Sequence, residues 1–239
     1  MSEMGESDYQ QSEAERAIEP LFEPRSRKAL AAWEIASVST SFLIAAWMIL
    51  PFAANNKLVA AIPLGLAFAL MFLSHRAQGE STREIGWRLD NFVQAARLLI
   101  LPMLIAAIVI LLIAWLYASL RFDVPRLLLR SLWLPVWGLM QEYVMQGYIN
   151  RRAQLIWGKG WRSILLVALL FAVFHLPNPW LTLATFIGGL LWAFVYQRVP
   201  NIPALGLSHG IMALLMVAEL PPHLLNGLRV GFKYFGYNS

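Results

Sequence analysis

No cysteine occurs among the 239 residues, which excludes a disulfide framework, a thiolate nucleophile and a thiolate metal site. Any metal would fall to histidine, carboxylate or amide oxygen. Charge is scarce as well. Charged residues make up 14%, against roughly 25% in soluble domains, and apolar residues reach 59%. One or two soluble domains are thereby excluded, and the chain reads as an integral membrane protein. The net charge of +5 does not indicate nucleic-acid binding, because the acids are unevenly spread. Seven of the 14 (Glu3, Glu6, Asp8, Glu13, Glu15, Glu19 and Glu23) lie in the first 23 positions. Residues 1–28 read as a disordered acidic tail without the basic start of a cleavable signal peptide. The basic excess belongs to the membrane body, where it sets orientation.

What is abundant is apolar runs of bilayer length. A crossing helix needs about 20 mostly apolar residues. Seven stretches qualify as expected spans: 33–54, 57–74, 98–119, 127–149, 162–178, 180–197 and 201–219. The polar, amphipathic stretch 75–97, with Arg83, Glu84, Ile85, Trp87, Leu89 and Phe92, reads as an interfacial helix. The expected fold is therefore an all-α polytopic bundle over 29–219, followed by a tail over 220–239. With the N-terminus inside, the inner segments hold 13 of the 19 Lys and Arg residues and the outer ones 6. That bias favours a multi-pass protein of the plasma membrane with its N-terminus in the cytoplasm. The bilayer is thus its first partner, and no nucleic acid is expected.

Ionisable groups inside a bilayer are costly and mark functional sites by default. Glu142 lies deep in the run Leu134-Pro-Val-Trp-Gly-Leu-Met-Gln-Glu-Tyr-Val-Met-Gln-Gly-Tyr148. Two later spans carry one histidine each, His175 and His209. At 1.5 Å per residue, Glu142 and His209 lie about 12 Å from the inner face and His175 about 20 Å. Glu142, Gln146 and Asn150 share a helix face at i, i+4 and i+8. Gly138 extends that face, and Gln141 sits about 100° round from it. A polar seam gluing helices together would explain the amides, but a buried Glu needs a partner. Phe171 sits one turn before His175, an arrangement also common in ordinary cores. Leu-Pro-Asn-Pro-Trp180 ends that helix, with Asn178 as a candidate neighbour of the imidazole. The small residues Gly206, Ser208 and Gly210 around His209 permit close helix approach. His75 and His223 fall outside the spans and carry no signal of this kind.

In order and spacing these motifs resemble the CPBP family of intramembrane proteases, which includes the type II CAAX prenyl endopeptidases and bacteriocin-immunity proteins. The family pattern is Glu-Glu-x-x-x-Arg, then Phe-x-x-x-His, then His-x-x-x-Asn or Asp. Here the positions are Gln141-Glu142-x-x-x-Gln146, Phe171-x-x-x-His175 and His209-x-x-x-Ala213. The resemblance covers roughly 125–219, and Gly147 and the Asn201-Ile-Pro203 turn add to it. It implies an intramembrane endopeptidase with Glu142, His175 and His209 as catalytic residues, supported by Gln141, Gln146 and Phe171. The departures fall on the family's water-activating glutamate, its bracing arginine and the side chain credited with steadying the oxyanion.

Peptide hydrolysis needs an activated water and a stabilised oxyanion. Glu142 with a histidine can supply the first, and a Gln141 or Gln146 amide can donate to the second. Alternatively Glu142, His175 and His209 could ligate zinc as a metalloprotease, leaving an open position for water. The three non-ionisable replacements equally permit a non-catalytic member binding a peptide, lipid or partner helix in the same cavity. A secondary transporter is the weakest reading, since no inverted repeat of broken helices is visible.

Overall fold

The computed structural model describes residues 24–52, 56–120 and 133–236. Among these the chain is helical, with no strand. Most of the acidic tail, together with Arg121, Arg126 and Arg130, lies outside the described residues. Helix α1 (Pro24–Ile44) runs on through a π-helical turn (Ala45–Ile49). It is followed by α2 (Lys57–Ala77), α3 (Thr82–Ile85) and α4 (Phe92–Leu116). Helix α5 (Leu134–Glu142) passes into a π-helical stretch (Tyr143–Asn150) and on into α6 (Arg151–Trp157). Then come α7 (Trp161–Val173), α8 (Pro179–Arg198) and α9 (Ile202–Glu219). The one-turn α10 (Pro222–Leu225) and two 3₁₀ turns (Asn226–Leu228, Gly231–Phe235) close the described chain.

Among the described residues four helices are long and apolar enough to cross a membrane: Ser26–Ile49, Phe92–Leu116, Pro179–Arg198 and Ile202–Glu219. They correspond to the expected spans 33–54, 98–119, 180–197 and 201–219. The count of seven is not reached among the described residues. Ala61–Ala77 and Trp161–Val173 are shorter apolar helices. The second of these extends about 20 Å, short of a hydrocarbon core of about 30 Å. The expected span 127–149 is described from residue 133 onward and carries its polar stripe from Glu142, at the end of α5, into the π-helical stretch.

The interfacial helix expected over 75–97 is also corrected. Helix α2 continues to Ala77, and α3 is a single turn started by a Ser81–Glu84 capping box. Gly86 ends it at φ +103°, a conformation that favours glycine. A Cβ there would lie 3.3 Å from Tyr196, Pro200 and Asn201 atoms, so the turn is pressed onto the bundle. Asp90 then pairs with Arg83 at 2.7 Å and with Arg88. Amphipathic composition thus makes a folded turn here, because Gly86 interrupts the helical period.

Glycine sets the closest packing. A Cβ on Gly138 would fall 2.6 Å from the Gly206 carbonyl oxygen, and one on Gly210 would fall 2.6 Å from Pro135 Cα. Helices α5 and α9 therefore touch backbone to backbone, as small residues in membrane bundles allow. Gly189 does the same for α7 and α8, where a Cβ would meet Ala168 Cα at 2.9 Å. Asn178 and Asn201 cap α8 and α9 by accepting hydrogen bonds from Leu181 N and Ala204 N.

At the opposite end from the loop joining α7 to α8 lies a buried ionic cluster. Arg152 is fully buried and pairs with Glu34 at 2.7 Å and Glu80 at 2.9 Å. Arg151 reaches Glu80 at 2.6 Å, and the Arg152 guanidinium lies 4.8 Å above the Tyr148 ring centre. His75, for which the sequence offered no role, is buried here with Nδ1 2.6 Å from Glu80. Burial alone would push the Glu80 carboxyl up. Hydrogen bonds from His75 and Arg152, with the charges of Arg152 and Arg151, outweigh it and hold the carboxyl at about 2.

Candidate active site

Glu142 is the last residue of α5 and is wholly buried. The glycine contacts bring α9 against it, and its Oε1 lies 2.8 Å from His209 Nδ1. These two side chains, 67 residues apart in the chain, form one pair. Its second oxygen, Oε2, is buried without a well-formed hydrogen bond, as is the Gln146 amide nitrogen. Gln146 nonetheless lies near enough to act on the carboxyl. The Gln146 carbonyl accepts from Asn150 at 2.8 Å, and Asn150 in turn accepts from Gln154 and Gln197 at 3.0 Å. The expected stripe of Glu142, Gln146 and Asn150 is therefore real, and its amides act as the glue.

His209 is held from several sides. The Trp192 indole lies flat on it, with ring centres 4.4 Å apart and planes within 6°. Trp192 Nε1 donates to Ser208 Oγ at 3.0 Å, and Ser208 donates to the Leu205 carbonyl at 2.7 Å. Gly188, one turn before Trp192, leaves the room the indole occupies, since a Cβ there would fall 2.6 Å from it. Trp192 escaped the sequence reading. The available signal was this glycine one turn ahead of a tryptophan within a span.

His175 stands apart from the pair. Its Nδ1 lies 2.8 Å from the Phe171 carbonyl oxygen. A carbonyl only accepts, so this nitrogen carries the hydrogen. Asn178 does not meet the imidazole; its side chain donates to the Leu225 and Arg229 carbonyls. The Phe171 ring packs against both histidines, 5.3 Å from His175 and 5.6 Å from His209.

Both imidazoles line a cavity of about 790 Å³ built from α1, α2, α4, α5, α7, α8 and α9. Of the described side chains lining it, Gln141, His175, Thr185 and His209 are polar and the rest overwhelmingly apolar. Thr185 already donates to the Leu181 carbonyl at 2.7 Å. Gln141 and Ala213 belong to this wall, whereas Glu142 and Gln146 stand behind it. The offset of about 100° between consecutive helical residues separates Gln141 from Glu142.

A family model described as type II CAAX prenyl endopeptidase Rce1-like matches residues 123–215. The match covers less than half of the chain and agrees with the resemblance of that segment to the CPBP family. No curated protein and no solved structure matches the chain. The matched segment contains every motif position named from the sequence, from Gln141 to Ala213. Within the matched segment, two of the three departures from the family pattern, Gln141 and Ala213, face the cavity.

The residues do not fit a zinc centre. Among the described residues no three His, Asp or Glu side chains come together as a metal-ligand group. Glu142 and His209 pair with each other, and His175 is bonded instead to the Phe171 carbonyl.

Proposed function

We propose that this protein is an intramembrane endopeptidase whose water-activating group is His209, oriented by Glu142. The observation that carries the reading is the 2.8 Å contact between His209 Nδ1 and Glu142 Oε1 at the wall of an apolar cavity. With Glu142 as a carboxylate, Nδ1–H donates to it and Nε2 keeps its lone pair. That nitrogen takes a proton from water, and the water oxygen bonds to the scissile carbonyl carbon. The Gln141 amide donates to the oxygen that becomes negative. Glu142 stabilises the imidazolium and does not itself take the proton, as in other carboxylate-oriented histidines. The imidazolium then returns the proton to the leaving nitrogen as the C–N bond breaks. His175, its Nδ1 hydrogen spent on Phe171, offers Nε2 as an acceptor for substrate or water. The low dielectric of the cavity strengthens each of these contacts.

A second reading, a binding protein without turnover, is favoured by Gln141 and Ala213 on the cavity wall. An amide cannot accept the proton that a glutamate at position 141 would take. The two readings divide on one experiment, cleavage of a farnesylated CAAX-box peptide by the purified protein in liposomes. The protease reading expects cleavage that His209→Gln reduces by about 10²–10⁴. Wild-type protein that binds the peptide and leaves it intact supports the second reading.

A further inference from the structure

The family match begins at residue 123, yet α1 and α2, far upstream, supply part of the cavity wall. Phe42 of α1 packs its ring 5.7 Å from that of Phe174, the residue just before His175. Phe68 of α2 stacks on Tyr143, the residue just after Glu142, at 6.1 Å and 9°. Each phenyl thus abuts the immediate neighbour of a motif side chain. What fastens the two helices is polar and lies at the other end of the bundle. Arg152 bridges Glu34 of α1, Ser74 of α2 and Glu80 just beyond α2, and Ser74 also hydrogen-bonds Glu34. Such a buried arginine fork fixes direction as well as distance.

We propose that Phe42 is a specificity-determining residue that sets the width of the cavity beside His175. Arg152 is the positioning residue that fixes α1 and α2 against the matched segment. The inference rests on the cavity being the working site. It makes the ligand a slender apolar chain at that point, because widening there requires displacing a ring packed on Phe174.

The absence of cysteine makes one introduced thiol the sole target of a maleimide. Ala213→Cys puts that thiol on the cavity wall. The full chain in detergent is labelled separately with N-ethylmaleimide and with the bulkier pyrene-maleimide. Labelling is repeated with Phe42→Ala or Arg152→Lys added. Phe42→Ala is expected to raise the pyrene-maleimide rate about tenfold while leaving the N-ethylmaleimide rate within a factor of about three. Arg152→Lys, which loses the fork and loosens α1, is expected to raise both rates. A ratio of the two rates unchanged by Phe42→Ala in folded protein overturns the proposal. If that variant does not fold, Phe42→Leu is read by the same ratio. Labelling needs no turnover, so an inactive protein with the expected ratio change retains this inference and loses the protease reading. An active protein with an unchanged ratio does the reverse.

Discussion

The ionic cluster around Arg152 and the cavity around His209 divide the polar chemistry of this molecule unequally. The cluster gathers Glu34, Glu80, Arg151, Arg152 and His75, and each of them has an ionic or hydrogen-bonded partner. The cavity region has one carboxylate and two imidazoles, and it leaves Glu142 Oε2 without a well-formed hydrogen bond. Density of charge therefore points away from the chemistry here. Where charges are many they cancel one another and hold helices, and where they are few an imidazole paired with one carboxylate faces a space for a ligand. Structural and functional polarity are told apart by what the groups face more than by burial or partnering, since Arg152 and Glu142 are both fully buried and His75 Nε2 in the cluster also lacks a hydrogen bond.

The largest effect is expected at the ionic cluster. Arg152→Met leaves Glu34 and Glu80 without their shared cation, and removing one partner of a buried pair typically costs about 3–5 kcal/mol. Thermal unfolding in detergent should show a loss of that order. Acidity offers a related test. The Glu80 carboxyl is held at about 2 in the folded chain against an ordinary 4.5, so its stabilisation is complete above 4.5. That stabilisation drains away as pH falls from 4.5 through about 2. Arg152→Met should flatten this part of the stability–pH curve, and a curve of unchanged shape would mean that Glu80 takes little from the arginine.

On the cavity side the effects are smaller. Gly138→Ala places a Cβ 2.6 Å from the Gly206 carbonyl and must push α5 from α9. Overpacking of this kind costs about 1–3 kcal/mol. It should also lengthen the Glu142–His209 contact, so activity should fall further than stability. Equal losses of both would show that the pair tolerates separation. Trp192→Phe keeps an aromatic ring over His209 but removes the hydrogen bond to Ser208. A loss of about 0.5–1.5 kcal/mol is expected in the same unfolding assay. Trp192→Leu, which removes the flat stack as well, should shift the His209 ring-proton resonances, whereas Trp192→Phe should largely preserve them.

Much of the site was legible because depth and small residues are written locally. Glu142 and His209 lie at equal expected depth, and Gly138, Gly206 and Gly210 announce the close approach that joins them. Gln141 was separable from Glu142 by the angle between consecutive helical residues. His175 was legible as a cavity residue but not as a residue outside the pair, since nothing in the spacing tells that its Nδ1 bonds the Phe171 carbonyl. The Arg152 cluster was not legible. Its members come from α1, α2, the following turn and α6, and pairing across such separations leaves no periodic trace. The interfacial helix failed for a local reason, because Gly86 halts α3 after one turn although the flanking residues are amphipathic. The count of seven spans is not confirmed among the described residues, where Ala61–Ala77 and Trp161–Val173 are shorter apolar helices. Trp192 carried no charge to draw notice to it.

The account depends most on Glu142 and His209 acting as one unit. A double-mutant cycle on peptide cleavage in liposomes, using Glu142→Gln, His209→Gln and the pair together, tests this directly. Each single change is predicted to lower the rate by about 10²–10⁴, with the double variant hardly worse than His209→Gln alone. Full activity in folded Glu142→Gln, or losses that multiply in the double variant, would contradict it.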